Sequence, residues 1–346
     1  AVTECLNPLG NSNIFNTEVA YSEQAAVRPK EERDGGKEME SLPEFQLHKG
    51  RLGVTRVPDL SPTDLKQVSA LGLIELTALF DILDLELKRN KGPKRKSTES
   101  RLFGVGLDTL VEQDQKFIGN TRVPLILQAI FMCIEKRGLE IQGILRISGS
   151  QTRIKNLQQR LEKGFYDGLF CWDEVHPHDA SGLLKLFLRE LPTPLLTTQY
   201  LPAFTAVQNI PDLKQRLQAL NLLILILPEP NRSTLKALLE FLLKVTSRKE
   251  KNLMSLWNVS AILAPNLFLY LGGKNLDRGE KQLAEGTAGL VKAMTTYQDL
   301  LWTVPNFLVS QVRKLNENRT KRHPFPDHKL LNFLRRIHND KERSER

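Results

Sequence analysis

One arginine near the middle of the chain lies in a stretch of unusual composition. Arg146 stands between two glycines, Gly143 and Gly149, in the sequence G-I-L-R-I-S-G, which we expect to form a loop between two helices. Glycines permit tight or left-handed backbone at the ends of such a loop. Three apolar residues are expected to anchor it on the core: Ile144, Leu145 and Ile147. The guanidinium of Arg146 would then point outward, although an arginine in an ordinary surface turn would show the same pattern.

Two further features carry polar groups that could act with this arginine. Lys185 and Arg189 are four residues apart, so on a helix both would lie on one face, opposite a face rich in leucine. Pro265 is expected to end a later helix, which would leave the amide of Asn266 projecting at the helix end. Taken alone, the first feature is typical of a solvated helix face and the second of a cap or turn.

The sequence lacks the motifs of a self-contained active site. We find no G-x-x-x-x-G-K-[ST] phosphate loop, no G-x-S-x-G elbow, no H-E-x-x-H pair and no paired carboxylates. His176 and His178 are the one close histidine pair, and a turn or helix cap explains them better than a metal. We therefore expect no metal and no cofactor. A binding module remains, or a protein that donates one catalytic group to the active site of a partner.

The elements that must position these residues are predicted to be helices. From Leu107 to about Leu315 the apolar residues recur at helical spacing and no useful β-alternation is found, which predicts an all-α fold, an irregular bundle of about eight or nine helices. The first three predicted helices begin at Pro124, at a cap on Ser150 and at a cap on Asp179, the last of them running to Leu191. The next three begin at Leu213 (ending before Pro228), at Ser233 and near Leu253 (ending at Pro265). The last two cover Leu283–Leu301 and Asn306–Leu315.

The chain divides into four parts by composition. Residues 1–60 are polar and irregular and are expected to be a mostly disordered extension. Residues 61–101 combine a helix that begins at Ser61-Pro62 with a basic linker, Lys88–Arg101. Residues 104–315 form the folded domain, and residues 316–346 form a basic tail that we expect to be mobile.

Charge and cysteine content restrict the partners. The chain has a net charge of +9, but residues 102–312 carry only +4, so a nucleic-acid binder is not supported. The linker and the tail hold most of the excess and are candidates for contact with anionic lipid, as in a membrane-surface scaffold. Three widely spaced cysteines indicate a reducing compartment. We expect a cytoplasmic protein, with association to the cytoskeleton or plasma membrane as an option.

Four ordered stretches give the chain a resemblance to the RhoGAP family, the domains of Rho GTPase-activating proteins. They are P-L-I-L-Q-A-I-F-M-C-I-E-K-R-G-L-E-I-Q-G-I-L-R-I-S-G-S, H-D-A-S-G-L-L-K-L-F-L-R-E-L-P-T-P-L-L, L-P-E-P-N-R-S-T-L-K-A-L-L-E-F-L and W-N-V-S-A-I-L-A-P-N-L. The segment before the domain, L-S-P-T-D-L-K-Q-V-S-A-L-G-L-I-E-L, resembles the subgroup containing Rho GTPase-activating proteins eighteen and twenty-eight.

The resemblance implies a role for each polar residue. Arg146 would be an arginine finger, inserted in trans into the site of a GTP-bound Rho-family GTPase to accelerate GTP hydrolysis. Lys185 would contact the GTPase or steady the finger loop, and Arg189 would hold that loop by hydrogen bonds to its backbone. Asn266 would dock against the GTPase switch region, and Asn258 would support the adjoining helix end.

The resemblance also implies a cellular role. The subgroup favours RhoA as the GTPase, which would link the protein to the actin cytoskeleton, stress fibres and cell shape. A RhoGAP fold that binds GTPases as an adaptor without catalysing hydrolysis is the alternative. Such modules typically lack the arginine, which this chain has at position 146.

Overall fold

The structure is a computed structural model that describes residues 14, 20–25, 53–87, 101–268 and 278–320. These residues form 14 α-helices and no strands, with one isolated antiparallel bridge between Arg56 and Thr303. The all-α prediction is confirmed. None of the helices among the described residues is both long enough and apolar enough to span a bilayer.

Most helices are long and are joined by short connections. The helices are α1 (Tyr21–Ala25), α2 (Pro62–Ile82), α3 (Leu107–Asp114), α4 (Leu125–Arg137), α5 (Gln151–Gly164), α6 (Pro177–Glu190), α7 (Leu201–Ala206), α8 (Leu213–Ile226), α9 (Glu229–Thr246), α10 (Lys249–Asn252), α11 (Leu256–Phe268), α12 (Arg278–Thr296), α13 (Gln298–Leu301) and α14 (Asn306–Thr320). Within the described part of the predicted domain, nine helices have eight or more residues. Their number agrees with the eight or nine helices predicted from periodicity. The short helices α7, α10 and α13 are not predicted, because they contain too few residues to show a period.

Helix α8 lies in the core of the bundle. Every residue from Leu217 to Ile226 is buried, as expected for a helix that is apolar on all sides. The amide nitrogens of its two buried polar side chains donate to carbonyls outside the helix. Gln218 Nε2 donates to Ile14 O at 2.8 Å, and Asn221 Nδ2 donates to Leu301 O and Thr303 O at 2.9 and 2.8 Å.

The segment before the predicted domain packs on this core. Helix α2 lies against α8 and α14, and Ser69 Oγ donates to Leu225 O at 2.8 Å. Helix α1 lies against α2, where the Ser22 amide and hydroxyl both donate to the buried carboxylate of Glu75, at 3.1 and 2.8 Å. The described residues of α1 therefore pack on the folded part of the chain, within a segment that the sequence predicts to be mostly disordered. Five helical residues are too few to show a period in the sequence.

Three predicted helix boundaries need correction. Helix α6 is capped by His176, whose Nδ1 accepts the His178 N–H, and not by Asp179. Helix α9 starts at Glu229 and not at Ser233. In both cases a proline stands in the first two positions, where its fixed φ suits a helix and its missing N–H costs nothing. Helix α11 continues through Pro265 to Phe268, because packing against α6, α9 and α12 outweighs one missing hydrogen bond.

The helices near the end of the chain differ from the prediction at their boundaries. The predicted Leu283–Leu301 helix is two helices, α12 and α13, separated at Tyr297, and α14 extends five residues past Leu315. Nearly all of the basic linker (residues 88–100) and of the basic tail (residues 321–346) lies outside the described residues.

Candidate functional site

Residues 143–149, called here the arginine loop, lie in the connection between α4 and α5. Gly143 has φ +70° and its N–H donates to Asn252 O at 2.8 Å. The amides of Arg146 and Ile147 both donate to Gly143 O, at 2.9 and 2.8 Å, which closes a tight turn. The turn needs a left-handed first residue, and glycine adopts that conformation without strain.

The two residues before Arg146 fix the loop to the core. Ile144 and Leu145 are both 0% exposed. Leu145 has φ +67°, a left-handed conformation that costs a residue with a Cβ about 1 kcal/mol. Burial of the leucine side chain offsets this cost, and its carbonyl accepts a hydrogen bond from Lys185 Nζ at 2.9 Å. Arg146 itself is exposed, as predicted.

Ile147 does not anchor the loop on the core as predicted. It is 45% exposed and its side chain lies across Gly143, where a Cβ added at the glycine would be 2.6 Å from Ile147 Cδ1. Arg146, Ile147 and Ser148 are exposed in succession. The loop therefore exposes an apolar residue next to the arginine in sequence.

The far end of the loop rests on the start of α6. The buried carboxylate of Asp179 accepts the Ser150 N–H at 2.9 Å and a two-pronged contact from Arg153, with Nε at 2.6 Å and Nη2 at 3.3 Å. Ser150 caps α5 as predicted, accepting the Arg153 N–H at 3.4 Å. Asp179 thus stabilises the start of α5 rather than that of its own helix.

Gly149 is required at this contact by the closeness of the two backbones. A Cβ there would be 2.3 Å from Asp179 Oδ1 and 2.8 Å from both Asp179 Cα and His178 O. We expect Gly149→Ala to lower the free energy of unfolding by about 1–3 kcal/mol, because the loop must move off α6. Gly119→Ala, where nothing lies within 4 Å of the new Cβ, is the matched control and should change it by less than about 0.5 kcal/mol. Urea unfolding measures both, and equal effects would contradict the close contact.

Lys185 steadies the loop, which is one of its two predicted roles, whereas Arg189 does not make the predicted contact with the loop backbone. Lys185 is the residue that holds the loop backbone, through Leu145 O. Arg189 is exposed and makes no hydrogen bond to the loop in the described part of the chain, because it lies one helical turn, about 6 Å, further along α6. Burial, and secondarily the nearby charge of Arg189, lower the pKa of Lys185. The cation is thus partly desolvated where it meets the carbonyl.

The two asparagines of α11 lie in different environments. Asn258 is half-buried in the first turn, and its N–H donates to Ser255 Oγ at 3.1 Å. Asn266 does not project from a helix end, since α11 runs past it. It is 6% exposed and its Nδ2 donates to Ile262 O one turn earlier, at 2.9 Å. Only a small part of the Asn266 side chain can reach a docked partner.

Sequence reasoning missed two residues that hold the loop, Asn252 and Asp179. Asn252 lies in K-E-K-N-L, a pattern typical of an exposed helix end. Asp179 was predicted to cap α6, whereas it binds the start of α5. Both residues contact partners that are tens of residues or more away in sequence, and no local sequence pattern predicts such contacts.

The arrangement can perform one kind of chemistry. A guanidinium is always charged and presents donors in a planar fork that suits phosphate oxygens. Here it is exposed on a loop whose backbone is fixed at Gly143, Leu145 and Ser150. Among the described residues no group of three His, Cys, Asp or Glu side chains could hold a metal. The site suits a phosphate-bearing group presented by another molecule.

Comparison with known proteins gives the class. Residues 124–270 match the RhoGAP domain family, so the chain contains a RhoGAP domain. Within that class it is 58% identical over 342 residues to human Rho GTPase-activating protein 40, covering 97% of this chain and 51% of that protein. It is 49% identical over 339 residues to human Rho GTPase-activating protein 18, covering 96% and 50%. The resemblance to the subgroup of protein eighteen is confirmed.

A solved structure also matches. The crystal structure of human Rho GTPase activating protein 15 superposes with a TM-score of 0.51 at 26% identity, covering 59% of this chain and 93% of that one. The chain spans about half the length of the two relatives.

Proposed function

We propose that this chain accelerates GTP hydrolysis by a Rho-family GTPase, with Arg146 as the arginine finger. The observation that carries the proposal is an exposed arginine on a loop held by three hydrogen bonds at three separate points, within a RhoGAP domain. The GTPase supplies the nucleotide, the magnesium ion and the attacking water. The charge that builds on the phosphoryl oxygens is incompletely neutralised there, and the inserted guanidinium stabilises it.

The fixed loop supports catalysis rather than simple docking. An adaptor needs complementary surface but gains little from a restrained arginine, whereas a catalytic group must be held near its productive geometry before the partner arrives. The left-handed Leu145 and its part-buried contact with Lys185 restrain the backbone immediately before Arg146. The adaptor alternative predicts tight binding with no stimulation.

The proposed substrate is the GTP-bound form of RhoA, through which the protein would influence actin, stress fibres and cell shape. Support for this choice comes from the similarity to Rho GTPase-activating protein 18 over 96% of this chain, which includes residues before the domain. The test is a single-turnover phosphate-release assay with purified RhoA, Rac and Cdc42, each preloaded with GTP. Stimulation of none of them would contradict the proposal, and stimulation of Rac or Cdc42 over RhoA would contradict the preference alone.

The cytoplasmic location, with contact to anionic membrane through Lys88–Arg101 or the tail, also remains a proposal. Its support is the charge of these segments in the sequence. Co-sedimentation with vesicles containing phosphatidylserine tests the lipid contact. Binding should fall steeply between 50 and 300 mM salt, since it would be electrostatic. Equal binding to neutral vesicles would contradict it.

Lys185 and Arg189 should affect different kinetic quantities. Lys185→Ala removes the hydrogen bond to Leu145 O and should lower the hydrolysis rate at saturating protein by about tenfold, since an unsatisfied carbonyl loosens the loop. Arg189→Ala removes an exposed charge that would face the GTPase, and should raise the half-saturating concentration while leaving the saturating rate within about threefold. Titration of each variant against GTP-loaded RhoA separates the effects, and the reverse assignment would contradict the geometry.

A further inference from the structure

We propose that Asn252 is a positioning residue for Arg146: its buried side chain fixes the turn between α10 and α11 whose carbonyl holds the arginine loop. The inference rests on the proposed function of Arg146. Asn252 is 0% exposed, so it cannot touch a docked GTPase. Any effect on hydrolysis must therefore be indirect.

The donors and the acceptor of the Asn252 side-chain amide are all hydrogen-bonded. Nδ2 donates to Leu139 O and to Val245 O, both at 2.7 Å, and Oδ1 accepts the Met254 N–H at 2.8 Å. These bonds join the residues after α4, the last turn of α9 and the approach to α11. A buried amide with both donors and its acceptor used defines one orientation, because every alternative leaves a polar group unsatisfied.

The backbone of Asn252 carries that orientation to the loop. Its carbonyl accepts the Gly143 N–H at 2.8 Å, and Gly143 O in turn accepts the Arg146 N–H at 2.9 Å. The following residue, Leu253, has φ +58°, so the chain reverses sharply here and the carbonyl direction depends on the turn being held. The Asn252 backbone carbonyl is therefore connected to the Arg146 N–H by two successive hydrogen bonds, both made by Gly143.

The same side chain also holds the other approach to the loop. Leu139, whose carbonyl accepts from Asn252 Nδ2, lies four residues before Gly143 in the connection that leaves α4. Asn252 thus binds the incoming chain through its side chain and the first loop residue through its backbone. Loss of the side chain would release both contacts, and a displacement of the guanidinium by about 1 Å can cost roughly 100-fold in rate.

The experiment compares Asn252→Ala with Asn221→Ala in the full chain. Asn221 is an equally buried asparagine on α8 whose Nδ2 also donates to two carbonyls, Leu301 O and Thr303 O, so each variant loses two buried donor contacts. We expect Asn252→Ala to lower the saturating rate of GTP hydrolysis on RhoA by about 10-fold or more, with the half-saturating concentration within about threefold. Asn221→Ala should leave the saturating rate within about twofold at a temperature where both variants are folded.

A double variant separates positioning from a general loss of structure. If Asn252 acts through the guanidinium, adding Asn252→Ala to Arg146→Ala should lower the rate no further. Equal saturating rates for Asn252→Ala and Asn221→Ala, or a full additional loss in the double variant, would overturn the inference while leaving the proposed function intact. A wild-type chain that stimulates no GTPase would overturn both.

Amide hydrogen exchange on a second variant, Asn252→Asp, tests the contact without using activity. Asn252→Asp keeps the acceptor for Met254 but presents a second oxygen to Leu139 O and Val245 O, so those two contacts become repulsive. Exchange at residues 143–147 should be at least about tenfold faster than in wild type, with α8 unchanged. Unchanged exchange in the arginine loop would overturn the inference.

Discussion

Replacement of Arg146 with alanine is expected to lower the stimulated rate of GTP hydrolysis by at least about 100-fold, and by up to about 10⁵-fold. The side chain is exposed, so truncation removes no packed atoms, and the free energy of unfolding should change by less than about 0.5 kcal/mol. The lost stabilisation is that of the transition state, about 2.7–7 kcal/mol at 1.36 kcal/mol per tenfold. Single-turnover hydrolysis with GTP-loaded RhoA measures the effect.

Two further variants show whether the fork or merely the charge is required. Arg146→Lys keeps one positive charge but not the planar donors, and should recover little of the lost rate. Lys155→Ala removes an exposed charge from the neighbouring helix α5 and should leave the rate within about threefold. Binding of Arg146→Ala to a GTPase·GDP·aluminium-fluoride complex measures affinity separately. Full stimulation by Arg146→Ala would refute the finger assignment.

The central residue of the site could be predicted because its signal is local. Glycines at both ends and two apolar residues before Arg146 lie within seven positions, and each has a direct conformational meaning: left-handed backbone at Gly143, close approach at Gly149, and burial of Ile144 and Leu145. Exposure of the arginine follows from these. The burial of Ile147 was predicted wrongly, because the exposure of successive side chains in a turn does not follow the period of a helix or a strand.

The supporting residues could not be predicted because their contacts span long distances in sequence. Lys185 and Arg189 are equivalent on a helical wheel, and which of them reaches Leu145 O depends on how α6 is placed along its axis against the loop. The prediction that Asn266 projects from a helix end was wrong for a different reason. Local propensity predicts that a helix ends at a proline, whereas the packing of α11 against α6 and α12 keeps the helix intact past Pro265.

The helix before the predicted domain packs on the core of that domain. Composition places a boundary near residue 104, because the basic linker interrupts the apolar periodicity there. In the structure, α2 lies before that linker and yet covers α8 and α14, with Val68, Leu76 and Phe80 all 0% exposed. The match to the RhoGAP family covers residues 124–270, so α2 extends the core beyond the matched domain. The basic linker in the sequence therefore does not mark the boundary of the packed core.

Leu76→Ala should therefore destabilise the whole domain, lowering the free energy of unfolding by about 2–5 kcal/mol through lost burial and the cavity left behind. Leu169→Ala is the matched control, since the same atoms are removed from a leucine that is 80% exposed, and it should cost less than about 0.5 kcal/mol. Urea unfolding followed by the fluorescence of the three tryptophans, Trp172, Trp257 and Trp302, which all lie far along the chain from α2, reports whether the loss is global. If the tryptophan transition of Leu76→Ala coincides with that of wild type, α2 unfolds independently and the cooperative unit begins near residue 104, as composition predicts. A transition shifted to lower urea as a single step would make α2 part of the scaffold that holds Arg146 in place.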